Sequence, residues 1–168
     1  KELDLSTREA DIGIFMRRPK KLNYIQKKLI DINSHLYGSV KYLEKHGYPK
    51  SINDLNKHKF ISFGKGAPHP VYNPDWALKL GLKDNKKRKS VMKVNSVYGL
   101  LLAVQSGVGI APLPDYITLN VPNIVKVLPK IEGPITEAHF VYPESLKNVA
   151  RVQAFRNFLY SKISEWKF

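Results

Sequence analysis

The residues best suited to chemistry are five histidines, His35, His46, His58, His69 and His139, in a chain of 168 residues that has no cysteine. They show no HExxH or other metal-ligand spacing, so no metal site is expected. No serine sits in a G-x-S-x-G elbow and no pair of carboxylates is set apart for acid–base work. Gly107-Val108-Gly109 lacks the third glycine and the following helix of a dinucleotide fingerprint. No cofactor is expected, and the chain does not read as an enzyme. What remains is a binding feature. Asn95-Ser96 stands just before an apolar run of helical spacing, and residues of this type cap a helix start. The free N–H groups of such a first turn can hold an anion. Spacing alone favours the plainer role, in which the two residues only cap.

The elements that position this feature follow from the stretch Val94–Pro114. Leu100, Leu101, Val104 and Val108 recur at helical spacing, so Ser96–Ser106 is predicted to be a largely buried helix. Gly107 falls where a left-handed cap ends a helix, and Ile110–Pro114 must run extended because each proline keeps its predecessor out of the helical region. A strand–helix–strand unit of this kind belongs to an α/β fold.

Hydrophobic residues make up 43% of the chain, enough for a real core. No apolar run approaches the roughly 20 residues of a membrane span, and the first residues contain no signal-peptide core. Lys and Arg number 28 against 14 Asp and Glu, a formal charge of +14 that favours anionic partners. The basic residues are scattered, in small groups at Arg17-Arg18 with Lys20-Lys21, Lys27-Lys28 and Lys86–Lys89. No aromatic interleaving or zinc-finger spacing accompanies them, so they read as a solvated surface.

Along the rest of the chain, Leu3–Glu9 reads as a turn or helix end. Asp11–Met16 reads as a strand buried on both faces, and Leu29–Leu36 as a second extended segment. Ser39 caps a short helix that Gly47 and Pro49 stop, and Ser51–Asn56 is a helical turn with Asp54 early in it. Phe60–Phe63 is a strand leading to a Gly64–Pro70 loop. Lys89–Val94, Ile124–Leu128 and Thr136–Tyr142 are further strands. Asn148–Trp166 is a closing helix with Val149, Val152, Phe155, Leu159, Ile163 and Trp166 on one face.

In this order the segments resemble the effector-binding domain of LysR-type transcriptional regulators. The stretch DLSTREADIGIFM (Asp4–Met16) is similar to the family's acidic run leading into an Asp-apolar-Ala/Gly-apolar strand. Leu36–Gly64 resembles its Ser-Pro-x-Tyr-Leu-x-x-x-Gly-x-Pro stretch with the Asp-Leu-x-x-His that follows, Val40 standing in place of the usual proline. Val94–Ile117 is similar to Asn-x-x-x-x-Leu-x-x-Ala-x-x-Gly-x-Gly-Ile-x-x-Leu-Pro, and Val141–Ile163 to Val-Tyr-Pro…Val-x-Ala-Phe-x-x-Phe-Leu.

The resemblance implies a two-lobed α/β domain like type 2 periplasmic binding proteins. Residues 1–32 and 134–168 would form lobe I, and 33–133 lobe II. A further strand–helix–strand precedes this segment in the family, so lobe I is expected to be incomplete here. The winged helix-turn-helix that reads DNA would lie outside this chain. The implied site is a cleft for a small, anionic effector, approached by Phe15, Met16, Ser39, Ser62, Phe63, Asn95, Ser96, Val97, Gly109 and Ile110. Phe15 and Phe63 serve equally well as plain core residues. A cytoplasmic location, a homo-oligomeric full-length protein and DNA contact only through the absent domain also follow from the resemblance. The other reading is a secreted solute-binding protein of the same fold class that feeds a transporter.

Overall fold

A computed structural model describes residues 10–19, 23–64, 73, 75–84 and 86–166. The expected turn at Leu3–Glu9, Lys20-Lys21, His69 and the Gly64–Pro70 loop beyond Gly64 lie outside those residues. The chain divides into two compact units, a terminal one of residues 1–32 and 136–168 and a central one of residues 33–135.

The central unit holds strands β3 (Ser34–Ser39), β4 (Phe60–Phe63), β5 (Ser90–Val94), β6 (Ala111–Pro114) and β7 (Ile124–Glu132). Its helices are α1 (Val40–His46), α2 (Trp76–Lys79) and α3 (Val97–Gln105), with 3-10 turns at Ile52–Lys57 and Asp115–Ile117. β3 runs antiparallel between β6 and β7, and every one of its residues is buried, as a middle strand requires. β4 and β5 pair in parallel. Ile110, just before β6, bridges to Phe60, its N–H donating to the Lys59 carbonyl at 2.8 Å and its carbonyl accepting from Ile61 N–H at 2.9 Å. A Cβ on Gly109 would stand 2.4 Å from that Lys59 carbonyl, so only glycine lets the two backbones approach this closely.

α3 forms as its sequence suggests. Ser96 caps it by accepting from Gly99 N–H at 3.0 Å. Its end is a Schellman motif, with Gly107 at φ +76° and the N–H groups of Gly107 and Val108 donating to the carbonyls of Val104 and Ala103. Leu100, Leu101, Ala103 and Val104 lie under it, packed with Tyr37, Ile61, Phe63 and Leu113. A second cluster gathers Leu36, Leu43, Leu55, Phe60 and Ile110. Ser51 and Asp54 complete a reciprocal capping box.

The terminal unit holds β1 (Gly13–Phe15), β2 (Tyr24–Ile32), β8 (Thr136–Pro143) and α4 (Ala150–Ser164). The strands are antiparallel in the order β1-β8-β2, and α4 seats Val152 on Phe140 and Tyr142.

Several expectations need correction. Ile14 is 50% exposed, so β1 is not buried on both faces; among the described strands it lies at the sheet's edge. Leu29–Leu36 is not one strand: it breaks at the exposed Asn33, where the chain leaves one unit for the other. β7 continues past Leu128 to Glu132, because the strand bulges there: Leu128 takes φ +51° and the register against β3 slips between His35 and Leu36. The apolar stripe of α4 is only partly covered. Val152 is sealed, whereas Phe155 is 42% exposed and Trp166, beyond the helix end, 53%. The cluster beneath α4 is small: Val152 is the buried helix residue in it, with Leu159 packed against it and Tyr160 hydroxyl donating to the Lys28 carbonyl of β2.

Candidate functional site

The first turn of α3 opens onto a shallow recess within the central unit, with about 300 Å³ of empty space counting its open mouth. Val97 and Leu100 of α3 form one wall and Phe63, the last residue of β4, another. The Pro112-Leu113-Pro114 stretch of β6 and Trp76 of α2 complete the apolar lining. Among the described lining residues Ser34, at the start of β3, alone carries a hydroxyl.

Ser34 is 4% exposed, and its Oγ has no hydrogen-bond partner. Its carbonyl is engaged, accepting from Gly133 N–H at 2.7 Å. A Cβ on Gly133 would fall 2.4 Å from Ser34 Oγ and 2.6 Å from the Trp76 ring, so the absence of a side chain there lets hydroxyl and indole converge. Burying a hydroxyl unpaired costs free energy. Elsewhere among the described residues only His58 Nδ1 and Thr136 Oγ1 share that condition.

Of the residues singled out from sequence, the recess gathers Phe63 and Val97, with Ser96 and Asn95 immediately before its wall. Ser39 is committed elsewhere: it is 2% exposed and caps α1, accepting from Tyr42 N–H at 3.3 Å. Ser62 donates to Ser90 Oγ across the β4–β5 pair at 2.9 Å. Gly109 meets the Lys59 backbone and Ile110 is sealed in the core. Phe15 and Met16 are half-buried in the terminal unit. Sequence reasoning missed Ser34 and Trp76. A lone serine in the alternating run INSHL and a tryptophan after Asn-Pro-Asp carry no spacing signal, and chain folding alone brings them together.

Behind the recess, next to Pro114, lies a buried polar network. Asp115 accepts from His35 Nδ1 at 2.8 Å and from Tyr37 hydroxyl at 2.9 Å through one oxygen, and from Lys126 Nζ at 2.9 Å through the other. Its backbone N–H donates to the Asn33 carbonyl at 3.0 Å, which ties β6 to the first residue of the central unit. Burial by itself would push the Asp115 carboxyl up, but the hydrogen bonds from Lys126, His35 and Tyr37 outweigh it and hold the group below its ordinary value. The Tyr37 hydroxyl is pushed up, chiefly by burial. Among the described residues no basic side chain lines the recess. Among the described residues no cluster of His, Asp or Glu is arranged to hold a metal, and no helix is long and apolar enough to cross a membrane.

The architecture has clear counterparts. The structure overlays the regulatory domain of CrgA, a LysR-type transcriptional regulator from Neisseria meningitidis, with a TM-score of 0.79 at 22% identity, covering 94% of this chain and 78% of that one. The regulatory domain of AphB from Vibrio vulnificus gives 0.69 at 17% identity, covering 96% and 78%. These likenesses define the fold as the periplasmic-binding-protein-like α/β fold of such regulatory domains.

The family follows from sequence: residues 3–163 match the LysR substrate binding domain, and the chain belongs to that family. An uncharacterized HTH-type transcriptional regulator of Haemophilus influenzae is 26% identical over 147 residues, 85% of this chain and 50% of the relative. YhjC of Escherichia coli, likewise an uncharacterized HTH-type transcriptional regulator, is 27% identical over 138 residues, 76% of this chain and 44% of the relative. The chain thus spans about half the length of the curated relatives it matches. This family does not favour the solute-binding reading.

Proposed function

We propose that this chain is the effector-sensing part of a LysR-type transcriptional regulator and that it works by binding, without catalysis or cofactor. Its two units correspond to the two lobes of the fold. The effector is a small anionic molecule whose charged group meets the first turn of α3, with the recess beside it as the effector-facing wall of the central unit. The observation that carries this reading is the buried, unpartnered Ser34 hydroxyl in an apolar recess against a capped helix start. In the whole protein, a cytoplasmic homo-oligomer, DNA is contacted by segments outside this chain, and effector binding alters transcription through them.

A ligand titration on the full-length protein, with helicity followed in parallel, tests the placement. Ser96→Ala removes a hydroxyl and the α3 cap and weakens effector binding by about 0.5–2 kcal/mol. Ser96→Asp keeps a good cap but sets a like charge against the ligand, so it weakens binding further while the fold survives. Parent-like binding by both variants removes α3 from the site.

A further inference from the structure

We propose that the central unit carries a lysine face that meets the phosphate backbone of DNA without reading its sequence. This contact adds to the sequence-reading one made outside the chain. The face is assembled around Arg88. Its Nε donates to Asn56 Oδ1 at 2.9 Å and its Nη1 to the Leu80 carbonyl at 2.8 Å, and the guanidinium lies 5.6 Å from the centre of the Phe60 ring. The Arg88 backbone N–H donates to the Leu78 carbonyl at 2.9 Å. Three segments are thereby held side by side: the Ile52–Lys57 turn, α2 with the residues just after it, and the run Lys86–Lys89. Residues 52–57 and 75–89 contain seven basic side chains against three acidic ones. Lys57, Lys79, Lys83, Lys86, Lys87 and Lys89 are all exposed.

The charge of this face is left uncompensated. Among the described residues the Arg88 guanidinium donates only to neutral oxygens, those of Asn56, Leu80, Ala77 and Ile52. Asp54 is committed to the N–H groups of Lys50 and Ser51, and Asp75 pairs with Lys87. Lys79, Lys83, Lys86 and Lys89 form no ion pair among the described residues. Like charges gathered in this way repel one another, and a polyanion relieves that repulsion. None of the exposed large apolar side chains among the described residues falls in these segments. The face therefore offers no apolar centre for a protein interface and no anchor for a lipid surface. Flexible point charges without apolar neighbours suit the phosphates of a duplex. The inference rests on the regulator reading, which puts a duplex within reach. Once the reading segment holds DNA, a weak backbone contact acts at high local concentration.

The test uses the full-length protein and a fluorescent duplex of random sequence, titrated across a range of salt concentrations. One variant carries Lys79→Gln, Lys83→Gln, Lys86→Gln and Lys89→Gln. A second removes the same charge at exposed lysines elsewhere, with Lys27→Gln, Lys41→Gln, Lys130→Gln and Lys147→Gln. The first variant should flatten the slope of log affinity against log salt by about two or more, and weaken low-salt binding about tenfold or more. The second should change the slope by less than about one. Both should melt like the parent. Lysine acetylation of the parent, read by mass spectrometry, should show DNA protecting Lys79, Lys83, Lys86 and Lys89 while Lys130 and Lys147 stay reactive. That readout needs no variant and stands even where a substitution lowers the melting temperature. Equal slope changes in the two variants overturn the inference, as does an unprotected face. A transcriptional response lost with slope and protection unchanged assigns the face to an acidic protein and also overturns it. Effector binding is read separately through Ser96, so either reading can fail without the other.

Discussion

In the central unit Leu36, Leu55, Phe60, Leu100 and Val104 are completely sealed from solvent. In the terminal unit Ile14, Phe155, Phe158 and Trp166 remain between 42% and 55% exposed. Both units place helices on a three-stranded sheet with a largely buried middle strand, β3 throughout and β8 at all but Glu137 and Pro143. Yet the central one adds the parallel β4–β5 pair and two apolar clusters, whereas the described terminal core centres on Phe140, Tyr142 and Val152. The contrast bears on function. In the central unit the nearby Asp115, His35 and Tyr37 are hydrogen-bonded to one another, whereas Ser34 Oγ, like His58 Nδ1, has no partner.

The largest effect is expected from a matched pair of truncations followed by denaturant unfolding. Phe60→Ala should cost about 3–5 kcal/mol, because it empties a sealed position in the central core. Phe155→Ala should cost less than about 1 kcal/mol, since much of that ring already faces solvent. Equal costs would mean that the terminal unit is better packed than its exposures indicate.

Asp115→Asn should cost about 2–4 kcal/mol by removing the charge that His35, Tyr37 and Lys126 address together. It also predicts a pH signature. The folded carboxyl titrates below the unfolded one, so the network's contribution is complete above the ordinary carboxylate range and lost as pH falls through the depressed folded value. The parent should therefore lose stability relative to Asp115→Asn as acid unfolding proceeds below about pH 4. Parallel acid profiles would show that the network carries no charge-dependent stability.

Gly107→Ala should cost about 1–2 kcal/mol, since an L-residue must then hold φ +76° at the end of α3. Thermal melts would register it, and no change would mean that the cap relaxes freely. The smallest effect is that of Ser34→Ala in the free protein, expected at zero or slightly stabilising.

Much of this fold was legible from local pattern. The Ser96 and Ser51 caps, Gly107, the β4 strand and the extended Pro112–Pro114 run each rest on a few adjacent residues whose stereochemistry decides the outcome. Elements that depend on distant partners were read less well. Whether β1 is buried is decided by its place at the edge of the sheet, and the break at Asn33 by the change of unit, neither of which is written in hydrophobic alternation. The site divides along the same line. Phe63, Ser96 and Val97 sit within recognisable segments, but Ser34, Trp76 and Gly133 are 42 or more residues apart along the chain and meet only in the folded recess. Ser39 and Ser62 looked equally suited to a ligand in sequence, and their hydroxyls turn out to be spent on a helix cap and a strand pair.

The proposed function places a small effector against the central-unit wall at α3. Backbone-amide NMR of the full-length protein, titrated with a compound that changes its operator occupancy, tests this most directly. Saturable shift changes centred on Ser34, Phe63, Trp76 and Val97 are expected, with Ser96→Asp abolishing them and leaving the remaining spectrum unchanged. Saturation of the transcriptional response while these four amides stay unmoved would contradict it.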